Sequence, residues 1–206
     1  MDQPVISLNG TRYRWPDRPV AVVCIDGGDP AYLRQFLADG AIPNIARFMR
    51  QGYATIADST VPSFTCPNNM SIITGTPASK HGISGNYYLD TATGEAVVMT
   101  GPELLRGDTI LARFADAGAR VVSITAKDKL RKQLGKNLDL TRGNVSFSSE
   151  RADRCTLAEN GIENAIALDV GGTTAKLVLI DKGEPQYGRS LEVARVYRFL
   201  RGSGFP

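Results

Sequence analysis

Val20-Ala21-Val22-Val23-Cys24-Ile25-Asp26-Gly27-Gly28-Asp29-Pro30 decides how the chain is read. An apolar run closed by a carboxylate and two glycines reads as a buried central strand that delivers Asp26 into a loop. In α/β folds the side chains at strand C-termini converge on a crevice, so a carboxylate there suits a ligand. Taken alone, Asp26 equally suits a cap for the turn made by Gly27 and Gly28. Asp29-Pro30 then fits an N-cap followed by a first helical residue, opening a helix through about Ala38 that Gly40 stops.

Outward from this stretch the same alternation continues. Pro43 to Gln51 predicts a second helix, with Ile45, Phe48 and Met49 on one face and Gly52 past its end. Ala54 to Asp58 predicts a second strand, and Pro62 to Ser71 turns into another helix. Thr109 to Ala117 (helix), Arg120 to Thr125 (strand) and Asp128 to Leu134 (helix) follow, the pattern of an α/β domain. From about Ala165 the texture changes. Ile166 to Val170, a Gly171-Gly172-Thr173-Thr174 turn and Lys176 to Ile180 predict a β-hairpin, with a further strand at Leu191 to Phe199.

The composition sets bounds on function. The chain has 206 residues, 42% of them hydrophobic and 22% charged, so it can bury a real core. Its net charge of +3, with both signs interleaved, gives no ground for a nucleic-acid or membrane partner. Met1-Asp2-Gln3-Pro4 lacks the basic and apolar regions of a secretion signal, which points to the cytoplasm. Cys24, Cys66 and Cys155 are odd in number and far apart, as suits reduced thiols. His81 is the only histidine, so these residues cannot supply the several histidines on which a two-zinc hydrolytic site generally draws.

Thr65 lies in Val61-Pro62-Ser63-Phe64-Thr65-Cys66-Pro67-Asn68-Asn69, just ahead of a predicted helix. A hydroxyl there faces the positive end of the helix dipole, which stabilises an alkoxide and an anionic phosphoryl group. By itself it reads first as an ordinary Thr N-cap. His81-Gly82-Ile83-Ser84-Gly85-Asn86 is a glycine-shaped loop that its histidine braces. Lys127 and Lys129, by themselves, read as surface charge at a helix start.

Several separated motifs, in order, carry a resemblance. Val22-Val23-Cys24-Ile25-Asp26-Gly27, Ile42-Pro43-Asn44-Ile45, Val61 through Asn68, Thr74-Gly75 and His81 through Asn86 resemble the alkaline phosphatase superfamily. Among its branches they are most similar to the phosphonoacetate hydrolases, and the likeness runs to about Asn164. It implies a three-layer α/β/α sandwich, incomplete within residues 1–164, and hydrolysis of a small-molecule phosphonate to phosphate and acetate. It also implies zinc, two ions in the family. By position Asp26 and Thr65 would hold metal, and Thr65 would attack phosphorus. Asn86 and the backbone near Cys66 would bind phosphoryl oxygens, and Lys127 and Lys129 would receive the substrate carboxylate. The family's other metal ligands resemble Asp-x-x-x-His, Asp-His and a late His, and no histidine follows His81. An Asp and a Thr hydroxyl alone leave Thr65 largely protonated, so this chain on its own is expected to be impaired.

Residues 165–206 resemble a second family. Asp169-Val170-Gly171-Gly172-Thr173-Thr174, with Leu179 through Pro185 and Glu192 through Phe199, is similar to the hydantoinase/oxoprolinase family. There the segment looks like the phosphate-binding hairpin of an actin-like ATPase fold. Such a turn can present N–H groups and hydroxyls to phosphate. The expectation is therefore a fusion of two partial families meeting near Ala165. An ATP-dependent hydantoinase-type fragment and a non-catalytic fusion product are the alternatives, and the oligomeric state stays open.

Overall fold

The computed structural model describes residues 4–154, 164–170, 175–181 and 184–186. The chain opens with an antiparallel hairpin of β1 (Val5–Leu8) and β2 (Thr11–Arg14), Leu8 opposite Thr11. Asn9 and Gly10 between them take φ of 46° and 88°, the left-handed pair that a tight hairpin turn demands. Alternation turns Ile6 and Leu8 inward. Asn9 Nδ2 then donates to the Thr74 carbonyl at 2.8 Å and the Asp108 carbonyl at 3.0 Å, pinning the turn onto the helical part. Trp15 stacks on Phe114 with ring centroids 5.7 Å apart.

Helix α1 (Pro30–Ala38) starts where its cap is: Asp29 Oδ1 accepts the Ala31 N–H at 2.6 Å. Helix α2 (Pro43–Gln51) ends at Gly52, as its sequence predicts. Neither helix buries a single residue. The two strands predicted on either side of them do not form. Val20 to Ile25 and Ala54 to Asp58 carry no sheet pairing, and Val22 and Val23 are 81% and 82% exposed. An apolar run becomes a strand only when neighbours satisfy its N–H and C=O groups, and none of the described strands lies beside these two.

Packing is dense further along. Helix α3 (Thr65–Thr74) buries Cys66, Met70 and Ile73, spaced along one face, against Ile83, Met99 and Leu105. Each such side chain contributes roughly 1.5–3 kcal/mol on burial. Gly75 ends α3 in the left-handed conformation, and the short α4 (Ala78–His81) ends likewise at Gly82. A hairpin of β3 (Tyr87–Asp90) and β4 (Glu95–Val98) follows. Helix α5 (Ile110–Asp116) is capped by Thr109, whose Oγ1 accepts the Ala112 N–H at 3.1 Å. Strand β5 (Val122–Thr125), helix α6 (Asp128–Leu134) and strand β6 (Val145–Ser148) form a βαβ unit, the two strands parallel and in register from Val122–Val145 to Thr125–Ser148. Leu130 and Leu134 of α6 close the α3 core. A smaller cluster gathers Ala115, Val121 and Leu138.

Beyond a 3₁₀ segment (Ser149–Arg154) come β7 (Asn164–Val170), β8 (Ala175–Asp181) and β9 (Glu184–Gln186), an antiparallel sheet of their own. The hairpin expected at 166–180 is thus present as β7 and β8. Its turn, Gly171 to Thr174, and the strand expected at Leu191 to Phe199 lie outside the described residues, as does the side chain of Asp169.

Candidate active site

Phe64, not Thr65, takes the N-cap of α3, and it makes no side-chain cap bond. Thr65 is therefore the first helical residue, and its hydroxyl is not spent on capping. It donates instead to Asp26, lying 3.3 Å from Oδ1 and 3.2 Å from Oδ2. The apolar run before Asp26 and the helix start at Thr65, far apart in sequence, are thus brought to one point. Thr65 is half-buried and Asp26 exposed.

The turn leading into Thr65 is held by Asn68, which the sequence reading did not single out. Asn68 Oδ1 accepts the Thr60 N–H at 2.9 Å, and its Nδ2 donates to the Phe64 carbonyl at 2.9 Å. Asn69 Nδ2 donates to the Thr65 carbonyl at 2.9 Å. The signal was an amide pair one turn into a helix whose start has no Ser, Asp or Asn cap of its own.

Asn86 follows the His81–Gly85 loop, and its Oδ1 accepts from Lys129 Nζ at 3.2 Å. Lys127 is the N-cap of α6 and Lys129 lies in its first turn. The charges of Lys129 and Lys127 both bear on the thiol of Cys66, the neighbour of Thr65. Burial pushes the Cys66 thiol up, and the lysines oppose this without reversing it. Cys66 stays protonated and packed in the core.

The loop carrying Asn86 is fastened through His81, which is 1% exposed. Its Nδ1 accepts the Ile83 N–H at 3.1 Å, so the ring proton sits on Nε2, which faces Ser71 Oγ of α3 at 3.0 Å. His81 therefore links the Asn86 loop to the helix that begins with Thr65. Burial and the nearby Arg106 charge lower its pKa, partly offset by a backbone hydrogen bond.

Asp26 and Thr65 present two oxygen donors. Among the described residues no group of three or more His, Cys, Asp and Glu side chains is placed to hold a metal. Hydrolytic zinc takes at least three protein ligands, so the donors present do not fit a complete zinc site.

The type I phosphodiesterase / nucleotide pyrophosphatase pattern matches residues 20–144, which span the extended run, Thr65, Asn86 and both lysines. The chain belongs to that family. An uncharacterised pyrophosphatase/phosphodiesterase of Schizosaccharomyces pombe is 31% identical over 91 residues, covering 44% of this chain and 18% of its own. Two solved structures of phosphonoacetate hydrolase from Sinorhizobium meliloti 1021, one with phosphonoacetate and one with phosphonoformate, are 48% and 49% identical. Each superposes with a TM-score of 0.74 over 79% of this chain. The chain spans 40% of the length of those neighbours. The fold is alkaline phosphatase-like, as the sequence motifs imply, and it is an incomplete α/β arrangement of helices and small sheets. Among the described residues no helix is long and apolar enough to cross a membrane.

Proposed function

We propose that residues up to about 164 are the nucleophile-bearing portion of a phosphonate hydrolase, acting on phosphonoacetate or a close analogue. The boundary follows the family motifs, which run to about Asn164. The observation that carries the reading is the Thr65–Asp26 hydrogen bond at a helix start, with Lys129 and Asn86 paired near it. In this reading Thr65 Oγ attacks phosphorus and releases its proton to solvent as the C–P bond breaks. The carbon fragment leaves with the electron pair and takes a proton from solvent to become acetate. Water then cleaves the phosphoryl-threonine and releases phosphate. Asp26 orients the Thr65 hydroxyl. The helix start and Asn86 stabilise phosphoryl oxygens, and Lys129 and Lys127 attract the substrate carboxylate.

The test is a single-chain chimera. Residues 4–154 replace the matching segment of the Sinorhizobium meliloti enzyme, and phosphate release from phosphonoacetate is measured with zinc supplied. Turnover that Thr65→Ala abolishes supports the reading. A folded chimera without turnover, or with turnover indifferent to Thr65→Ala, overturns it.

A further inference from the structure

Large apolar side chains between residues 20 and 64 stand in solvent to an extent that single exposed residues do not explain. Val22, Val23, Ile25 and Ile56 are exposed along the two unpaired runs, and Val61 is 97% exposed. Phe36 of α1 and Phe48 of α2 are exposed as well, and neither helix has a buried residue. Strand β5 repeats the pattern on a smaller scale. Ser123 and Thr125 face inward while Val122 and Ile124 face out, and among the described residues the only strand beside β5 is β6.

We propose that this face is a docking surface for a polypeptide carrying the complementary strands of the same fold. Three observations select that occupant. Val20 to Ile25 is continuously apolar, the pattern of a strand covered on both faces and hydrogen-bonded on both edges. Among the described residues its backbone has no sheet partner, and only another chain segment supplies matching N–H and C=O groups; a lipid or small apolar ligand does not. Finally, the 48% identical neighbours superpose on this chain over 40% of their own length, so the larger part of their fold lies outside the match. A second copy of this chain would bring the same unpaired segments and not complementary ones.

The proposal rests on the family membership and not on the catalytic reading. Its test is co-expression of this chain, tagged, with the untagged part of the Sinorhizobium meliloti phosphonoacetate hydrolase that lies outside the match. Co-purification at one to one is expected. Val23→Asp should weaken capture at least about a hundredfold, because docking would bury an unpaired carboxylate. Leu89→Asp, on the exposed side of β3, should leave capture unchanged. Failure to co-purify overturns the proposal, as does capture that survives Val23→Asp. A homo-oligomer dissolved by Val23→Asp would assign the face to a second copy and also overturn it. Turnover by the single-chain chimera without co-purification would reject the docking and leave the proposed function standing.

Discussion

Acidification should loosen this protein through its one histidine before any carboxylate contributes. His81 is buried, with Nδ1 already occupied by the Ile83 N–H. A proton added at Nδ1 would set two donors against each other and place a charge in the core. Burial accordingly lowers its pKa, with the Arg106 charge adding to the effect and a backbone hydrogen bond opposing it. In the unfolded chain the imidazole titrates near its ordinary value of about 6.5. Below that pH the unfolded state holds one proton more than the native state. Stability is therefore full above about pH 6.5 and falls as pH drops toward the native pKa, where the loss levels off. The slope for one proton cannot exceed about 1.4 kcal/mol per pH unit. Asp128 and Asp139 also weaken the fold in acid, but in a lower window. Partial burial raises Asp128, and the Arg131 bond at 2.6 Å with the charges of Arg131 and Lys132 overrides it to hold the carboxyl low. Hydrogen bonds from Thr141 do the same for Asp139. Both therefore act only below about pH 4. Urea denaturation from about pH 7.5 to 4.5 measures the slope, and the single His Cε1–H resonance reports the titration directly. His81→Gln should be less stable at neutral pH and nearly flat across the window. An equal slope in that variant, or a native histidine titrating at 6.5 or above, would refute the argument.

Other expectations follow from single contacts. Gly82→Ala should cost about 1–3 kcal/mol in urea denaturation, because φ is +87° and the new Cβ would run into the Leu104 carbonyl. Asp128→Asn should lower stability by no more than about 1 kcal/mol, since its partners Arg131 and Lys132 are partly in solvent. In the chimera, Lys129→Gln should reduce kcat/KM for phosphonoacetate by roughly ten- to a hundredfold, the loss of one charged hydrogen bond at Asn86 and of a cation for the carboxylate. Mass spectrometry of this chain purified with zinc should find fewer than two ions per chain, and two tightly held ions would contradict the donor count.

What could be read from the sequence was local. Asp29-Pro30 and Gly52 carry their capping or stop chemistry in their own side chains or in its absence, and α1 and α2 begin or end accordingly. Val20 to Ile25 was misread for the opposite reason: a strand is a relation between segments, and apolarity in one does not supply the other. The Asn9-Gly10 hairpin was not read from the sequence, because its strands mix charge and apolarity too evenly to stand out. At the site, motif order indicated Asp26, Thr65 and Asn86. It could not indicate Asn68, or the Ser71–His81 link, because those are tertiary hydrogen bonds between residues common on surfaces.

The central claim is that Thr65 is the nucleophile, and the most direct test is to look for the group it would carry. The chimera, given phosphonoacetate and zinc, is quenched in acid during turnover, and its peptides are analysed by mass spectrometry. The account predicts a phosphoryl group on the Thr65 peptide, absent from Thr65→Ala and from samples without substrate. Phosphate release at full rate with no modification at Thr65 would contradict it.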